Sequence, residues 1–294
     1  MSLRDILRGT GVALVTPFNE DKSVDYDSLR NVINFVIEGG VNYIVVLGTT
    51  GEAPTLSKEE QKEIIHFTFT VVAARVPVVV GIGGNNTHSI IKDLETFPLE
   101  NVTAVLSTSP YYNKPSQEGI YQHYKALAAA TTKPIILYNV PARTGSNIEA
   151  STTVRLANEI ENIGGIKEAS GNIHQCIQIL KDKPEDFMVV SGDDNLAMTQ
   201  IFCGMDGVIS VAANSFPKDF SLMVNCALEK DLDRATSLNY KLLPVYDLLF
   251  KENNPAGVKA FLSELGVIKN ELRLPLVKLS ESIHQEVKEY LANL

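Results

Sequence analysis

PIILYNVP (residues 134–141) and IGGIKEAS (residues 163–170) decide how this chain folds, because each is an apolar run that ends on residues with chemistry to offer. Neither run alternates apolar with polar residues, which is the pattern of a strand covered on both faces in a parallel sheet. Working outward, six more runs of this kind recur: VALVTPF (12–18), YIVVLG (43–48), PVVVGIG (77–83), TAVLSTSP (103–110), FMVVSGDD (187–194) and GVISVAAN (207–214). The segments between them are long enough for right-handed crossovers and carry helix signals. In DSLRNVINFVIEGG (27–40), Leu29, Val32, Ile33, Val36 and Ile37 make an apolar stripe that stops at a glycine pair. In LSKEEQKEIIHFTFTVVAA (56–74), Ser57 caps an acidic first turn. Eight β/α alternations predict an α/β protein, a (β/α)8 TIM barrel. A doubly wound open sheet is the rival, but it usually carries a glycine-rich phosphate loop after its first strand, and none stands there.

PKDFSLMVNCALEK (217–230) is the expected closing helix, giving a barrel over residues 1–230. Residues 231–294 are expected to form a helical extension, with breakers at Pro244, at Asn253-Asn254-Pro255 and at Leu274-Pro275.

The composition, 45% hydrophobic and 21% charged, suits a folded globular chain of 294 residues. A net charge of −9 without a basic run argues against nucleic acid and anionic membrane partners. No apolar run approaches the length of a membrane span, and MSLRDILRGTG has no signal-peptide core, so a soluble cytoplasmic protein is expected. Cys176, Cys203 and Cys226 are widely spaced and read as small apolar fillers. The five histidines show no metal-ligand spacing; neither a metal nor any cofactor is implied.

Function in a barrel gathers at the C-terminal strand ends. The second strand leads into Gly48-Thr49-Thr50-Gly51-Glu52, where amides and two hydroxyls can hold a carboxylate or pass a proton. The fourth leads into Pro110-Tyr111-Tyr112-Asn113-Lys114-Pro115, which presents two phenols on a rigid loop. The fifth supplies Tyr138, then Arg143, whose guanidinium suits a carboxylate. The sixth supplies Lys167, the seventh Ser191-Gly192-Asp193-Asp194, and the eighth Ile209-Ser210. A single lysine is most often a solvated surface group. An amine partly withdrawn from water at a barrel mouth is more readily neutral, and so a nucleophile toward carbonyl carbon. Neighbouring strands lie about 4.8 Å apart, which brings Tyr138 and Lys167 within reach of one small substrate.

At GTTGE, SPYYNKPSQEGIYQHY, YNVPARTG, GIKEASG and GVISVAAN the chain resembles the dihydrodipicolinate synthases, within the pyruvate-dependent class I aldolases. These motifs stand in family order over nearly the whole chain. The resemblance implies that Lys167 forms a Schiff base with pyruvate and that the enamine attacks L-aspartate 4-semialdehyde, in lysine and diaminopimelate synthesis. It implies that Tyr138 moves protons during imine formation and that Thr50 links it to Tyr112, lent by a neighbouring subunit. Thr49 and Thr50 would hold the pyruvate carboxylate, with Ile209 helping through its backbone and Gly192 lining the site. Arg143 would orient the tyrosines and receive the carboxylate of the semialdehyde. An arginine there favours an acidic aldehyde over the uncharged sugar of N-acetylneuraminate lyase, the alternative along with other keto-acid aldolases. A non-catalytic keto-acid-binding barrel is a third reading.

Family members are often homotetramers built as a dimer of dimers, and many are inhibited by lysine at a subunit interface. The positions equivalent to that site are Ala53, Lys58, Gln61, Asn85, Ser89 and Tyr111. Tyr111 and Asn85 match the lysine-sensitive pattern. Lys58 and Gln61 replace histidines, and Ser89 replaces a glutamate that would meet the ammonium of the ligand, so weak or absent feedback is expected. Lys259 also recurs in the family and is read as a helix-surface lysine without chemistry.

Overall fold

A computed structural model describes residues 1–294. Eight parallel strands close into a barrel in sequence order. They are β1 (Gly9–Ala13), β2 (Tyr43–Val46), β3 (Val78–Gly81), β4 (Ala104–Thr108), β5 (Ile135–Asn139), β6 (Ile163–Glu168), β7 (Met188–Ser191) and β8 (Gly207–Ser210). Helices alternate with them, which is the (β/α)8 architecture that the eight apolar runs imply.

The first strand differs from the reading. It begins at Gly9 and ends at Ala13, so most of VALVTPF is buried loop. An apolar count passes over GTG, yet glycine is required there: a Cβ on Gly11 would lie 2.2 Å from the Tyr43 ring, which fills the barrel floor from β2. Inside the barrel, Val45, Val79, Leu106, Ile136, Met188, Val190 and Ile209 form a separate buried cluster. Leu7 joins it from the N-terminal segment, with Leu3 and Ile6 packed alongside, so the short helix Leu3–Ile6 stoppers one end. Arg4 Nε donates to Asp206 at 2.7 Å and pins that stopper. The interior therefore opens only at the C-terminal strand ends.

The outer helices follow their local signals. Tyr26–Glu38 is capped by Asp25 and buries Leu29, Val32, Ile33 and Val36. Lys58–Val72 starts with Ser57 and Glu60 in a reciprocal capping box. Three long helices follow the barrel helix Pro217–Leu228: Leu232–Phe250, Ala256–Glu264 and Glu281–Ala292. Pro244 does not break the first of these, which runs straight through it. A mid-helix proline costs about 3 kcal/mol. Burial of Leu242, Val245, Tyr246, Leu248 and Leu249 along that helix outweighs it. Of the cysteines, Cys176 and Cys226 are buried fillers while Cys203 is exposed. No helix is long and apolar enough to cross a membrane.

His123, on the helix Gln117–Ala129, is buried with Nδ1 paired to the Thr87 hydroxyl at 2.8 Å and no partner for Nε2. Burial lowers its pKa from 6.5 to about 4. The unfolded chain therefore binds this proton first as pH falls, and the stability contributed by neutral His123 is lost between about pH 6.5 and 4. Urea unfolding near pH 7 and near pH 4.5 should show the His123→Gln variant losing roughly 2 kcal/mol less than the parent over that interval. Parallel losses in both proteins would contradict this assignment.

Candidate active site

The site is built on the alternation of β5 and β6. Tyr138 stands in register with Lys167, which in turn faces Val190 of β7. In a parallel pair, residues in register point to the same face, so phenol and amine enter the barrel together. Lys167 Nζ lies 4.3 Å from the centroid of the Tyr138 ring. Both side chains are buried, Lys167 at 5% exposure and Tyr138 at 7%. Lys167 enters no salt bridge; its ammonium rests against the Tyr138 ring instead.

The next residues along both strands face outward and lock this register. Asn139 Nδ2 donates to both Glu168 carboxylate oxygens at 3.1 and 2.9 Å, and Gln175 Nε2 donates to Oε2 at 3.0 Å. The Ser170 amide donates to Oε1 at 2.8 Å. Asn139 Oδ1 accepts from the Ile148 amide, so the same network anchors the far end of the loop that carries Arg143. A buried carboxylate so fully bonded is retained where an unpaired one would be costly.

Lys167, Tyr138, Thr49, Thr50, Arg143, Gly192, Asp193 and Asn254 line one cavity of about 70 Å³ at the barrel mouth. Gly192 is needed for this: a Cβ there would sit 3.0 Å from Lys167 Cε and 2.5 Å from the Ala169 Cβ. Ile209, 1% exposed, lies in the cluster just beneath. Two carboxyls neighbour the amine. Burial raises Asp193, and raises Asp194 to about 6, while the charge of Lys167 draws both back down. Asp194 also accepts from the Val211 and Ala212 amides at 3.1 and 2.7 Å, fixing the end of β8.

The two threonines differ. Thr50 is 2% exposed and its Oγ1 accepts from Asn254 Nδ2 at 2.9 Å. Thr49 borders both this cavity and a wider one of about 400 Å³ next to it. Arg143 and Tyr138 line both as well, and the Arg143 side chain is exposed and outside any salt bridge. Tyr112 lines neither cavity of its own chain; it is 87% exposed, with a left-handed backbone at φ 74°. Its loop is braced against the Arg143 loop, with the Tyr112 amide donating to the Thr144 carbonyl at 3.4 Å.

The wider cavity gathers Ala53, Lys58, Gln61 and Tyr111, together with Asp93 and Phe97. Asn85 and Ser89 stand outside its wall in this chain. Lys58 Nζ is paired with Asp93 at 2.6 Å and rests over the Phe97 ring.

Sequence reasoning missed two features. Asn254 appeared only as part of a helix break, and Lys259 only as a surface group. Lys259 is 0% exposed, with Nζ bonded to Glu52 Oε1 at 2.5 Å and to the Glu271 carbonyl at 2.8 Å. Neither partner is near in sequence, so no local pattern announces them.

The chain matches the model of the dihydrodipicolinate synthetase family over residues 6–294. It is 50% identical to the 4-hydroxy-tetrahydrodipicolinate synthase of Parabacteroides distasonis, over 98% of this chain and 97% of that one. The synthase of the same name from Azobacteroides pseudotrichonymphae is 51% identical, covering 97% of each chain. Among solved structures, the chloride-inhibited dihydrodipicolinate synthase of Acinetobacter baumannii, complexed with pyruvate, superposes with a TM-score of 0.95 at 42% identity over 98% of both chains. With the lysine, tyrosine and arginine of the motifs converging at one barrel mouth, the chain belongs to the dihydrodipicolinate synthetase family.

Proposed function

We propose that this protein condenses pyruvate with L-aspartate 4-semialdehyde to 4-hydroxy-tetrahydrodipicolinate through a Schiff base on Lys167. The observation that carries the reading is the buried Lys167 amine, unpaired by any carboxylate and 4.3 Å from the Tyr138 ring centroid. The neutral amine attacks the pyruvate ketone, and the resulting carbinolamine loses water once its hydroxyl is protonated, a transfer suited to the Tyr138 phenol. Removal of a methyl proton gives the enamine, whose carbon adds to the aldehyde. The amino group of the semialdehyde then closes the ring and releases Lys167.

The Gly48–Glu52 turn is the seat of the pyruvate carboxylate. Thr50 accepts from Asn254, so its own hydrogen is left to point at an anion. Thr49, on the wall shared by both cavities, is better placed than Thr50 to connect Tyr138 with a second tyrosine at the mouth. In this arrangement Thr49, rather than Thr50, carries the relay. The exposure of Tyr112 supports the reading that it completes the relay in a neighbouring copy, so the active unit is at least a dimer. A tetramer built from two such dimers fits the resemblance, and a cytoplasmic location fits the substrates.

Arg143 receives the carboxylate of the semialdehyde, because it is an exposed guanidinium on both cavities with no acidic partner of its own. The rival substrate, an uncharged amino sugar, would leave that charge unused. In an assay offering each aldehyde with pyruvate, the semialdehyde should be consumed and N-acetylmannosamine should not. Arg143→Ala should cut kcat/KM for the semialdehyde by about a hundredfold, the scale of losing one charged, bidentate contact. Equal turnover of both aldehydes by the parent would overturn the substrate assignment.

The cavity equivalent to the lysine site supports weak feedback. Its Lys58 ammonium already occupies Asp93, and a second ammonium would meet like charge. Activity at about 1 mM lysine should stay within about a fifth of the uninhibited rate, since the charge mismatch disfavours binding. Half-inhibition below that concentration would contradict it.

A further inference from the structure

The C-terminal helices touch the carboxylate seat through one buried ion pair. Glu52 closes the Gly48–Glu52 turn in a left-handed conformation, φ 53°, and is 1% exposed. Its Oε1 accepts from Lys259 Nζ at 2.5 Å and its Oε2 from the Arg273 amide at 3.1 Å. Lys259 also donates to the Glu271 carbonyl, and its ammonium lies 4.2 Å from the centroid of the Phe18 ring. Arg273 covers the same ring from 4.5 Å and is held in place by Glu60. The lysine ammonium is thus held by two acceptors and a ring face, and it reaches the turn from a helix 207 residues away in sequence.

We propose that Glu52 and Lys259 form a positioning clasp, through which the C-terminal helices set the geometry of the turn that seats the pyruvate carboxylate. This rests on the reading of Thr50 as part of that seat. Three observations support it. First, Thr50 and Glu52 are two residues apart in one turn, and both are held from the C-terminal side, by Asn254 and Lys259 respectively. Secondly, the barrel itself reaches the turn through a neutral bond, from Thr16 Oγ1 to the Gly51 carbonyl at 2.7 Å. Finally, burial works against the charged amine, lowering Lys259 to about 8 although Glu52 opposes the shift. An apolar pair would fill such a site at less cost, so the value of the ion pair lies in the geometry it imposes. A left-handed glutamate held by a charge-assisted bond in a buried site has little room to drift.

The test is steady-state kinetics on Glu52→Gln and on the neutral pair Glu52→Gln with Lys259→Met, with Thr50→Val as control. The single variant is isosteric and carries the test if the paired one does not fold. The clasp predicts a rise of at least about tenfold in KM for pyruvate, with kcat and KM for the semialdehyde within about threefold of the parent, since a loosened seat costs binding rather than chemistry. An unchanged KM for pyruvate in a folded clasp variant, with the control shifted, overturns the clasp. So does a loss of kcat in parallel with weaker binding of both substrates, the mark of a merely structural role. An unchanged KM for pyruvate in Thr50→Val overturns the reading of the seat instead.

Discussion

The hydrogen bonds around Glu168 are the constraint on which the active site depends. This carboxylate is buried between β6 and the surrounding helices, and Asn139, Gln175 and the Ser170 amide satisfy it together. Sliding β6 by one residue against β5 would send Glu168 into the barrel and Lys167 out, leaving an unpaired charge in an apolar layer. The outward network therefore fixes the inward pair. It also reaches the Asn147 side chain, so the loop that presents Arg143 inherits the same reference frame.

Around that frame the barrel is closed at one end and elaborated at the other. The helix Leu3–Ile6 stoppers the floor, and the C-terminal extension reaches the mouth, where Phe250 at a helix end and Asn254 in the following turn join the wall of the Lys167 cavity. Catalysis by imine chemistry demands a small, dry chamber in which amine, phenol and carboxylate seat keep fixed distances. The barrel supplies the first two from adjacent strands. In the proposed reading the seat hangs on a loop, where backbone freedom is greater, and Asn254 and Lys259 hold that loop from beyond the barrel.

Much of this is legible in the sequence. Eight unbroken apolar runs dictate the barrel, and the chemistry-bearing residues at their ends, Lys167, Tyr138, Arg143 and the threonine pair, converge because strand ends converge. What stays hidden is long-range pairing. Lys259 reads as a surface lysine because its partner Glu52 lies across the fold, and Asn254 reads as a helix break because its contact is with Thr50. The start of β1 is missed for a related reason, since Gly11 is there to make room for Tyr43, a neighbour defined only in three dimensions. Pro244 misleads in the opposite sense, as tertiary burial overrides a strong local signal.

The central claim is that the Lys167 amine is the covalent centre. Intact-mass measurement after incubation with pyruvate and borohydride, followed by peptide mapping, addresses it most directly. The account predicts one reduced pyruvate adduct per chain, on the peptide containing Lys167, and none on the peptide containing Lys259. A protein that binds pyruvate yet gains no mass, or gains it on another lysine, would contradict it.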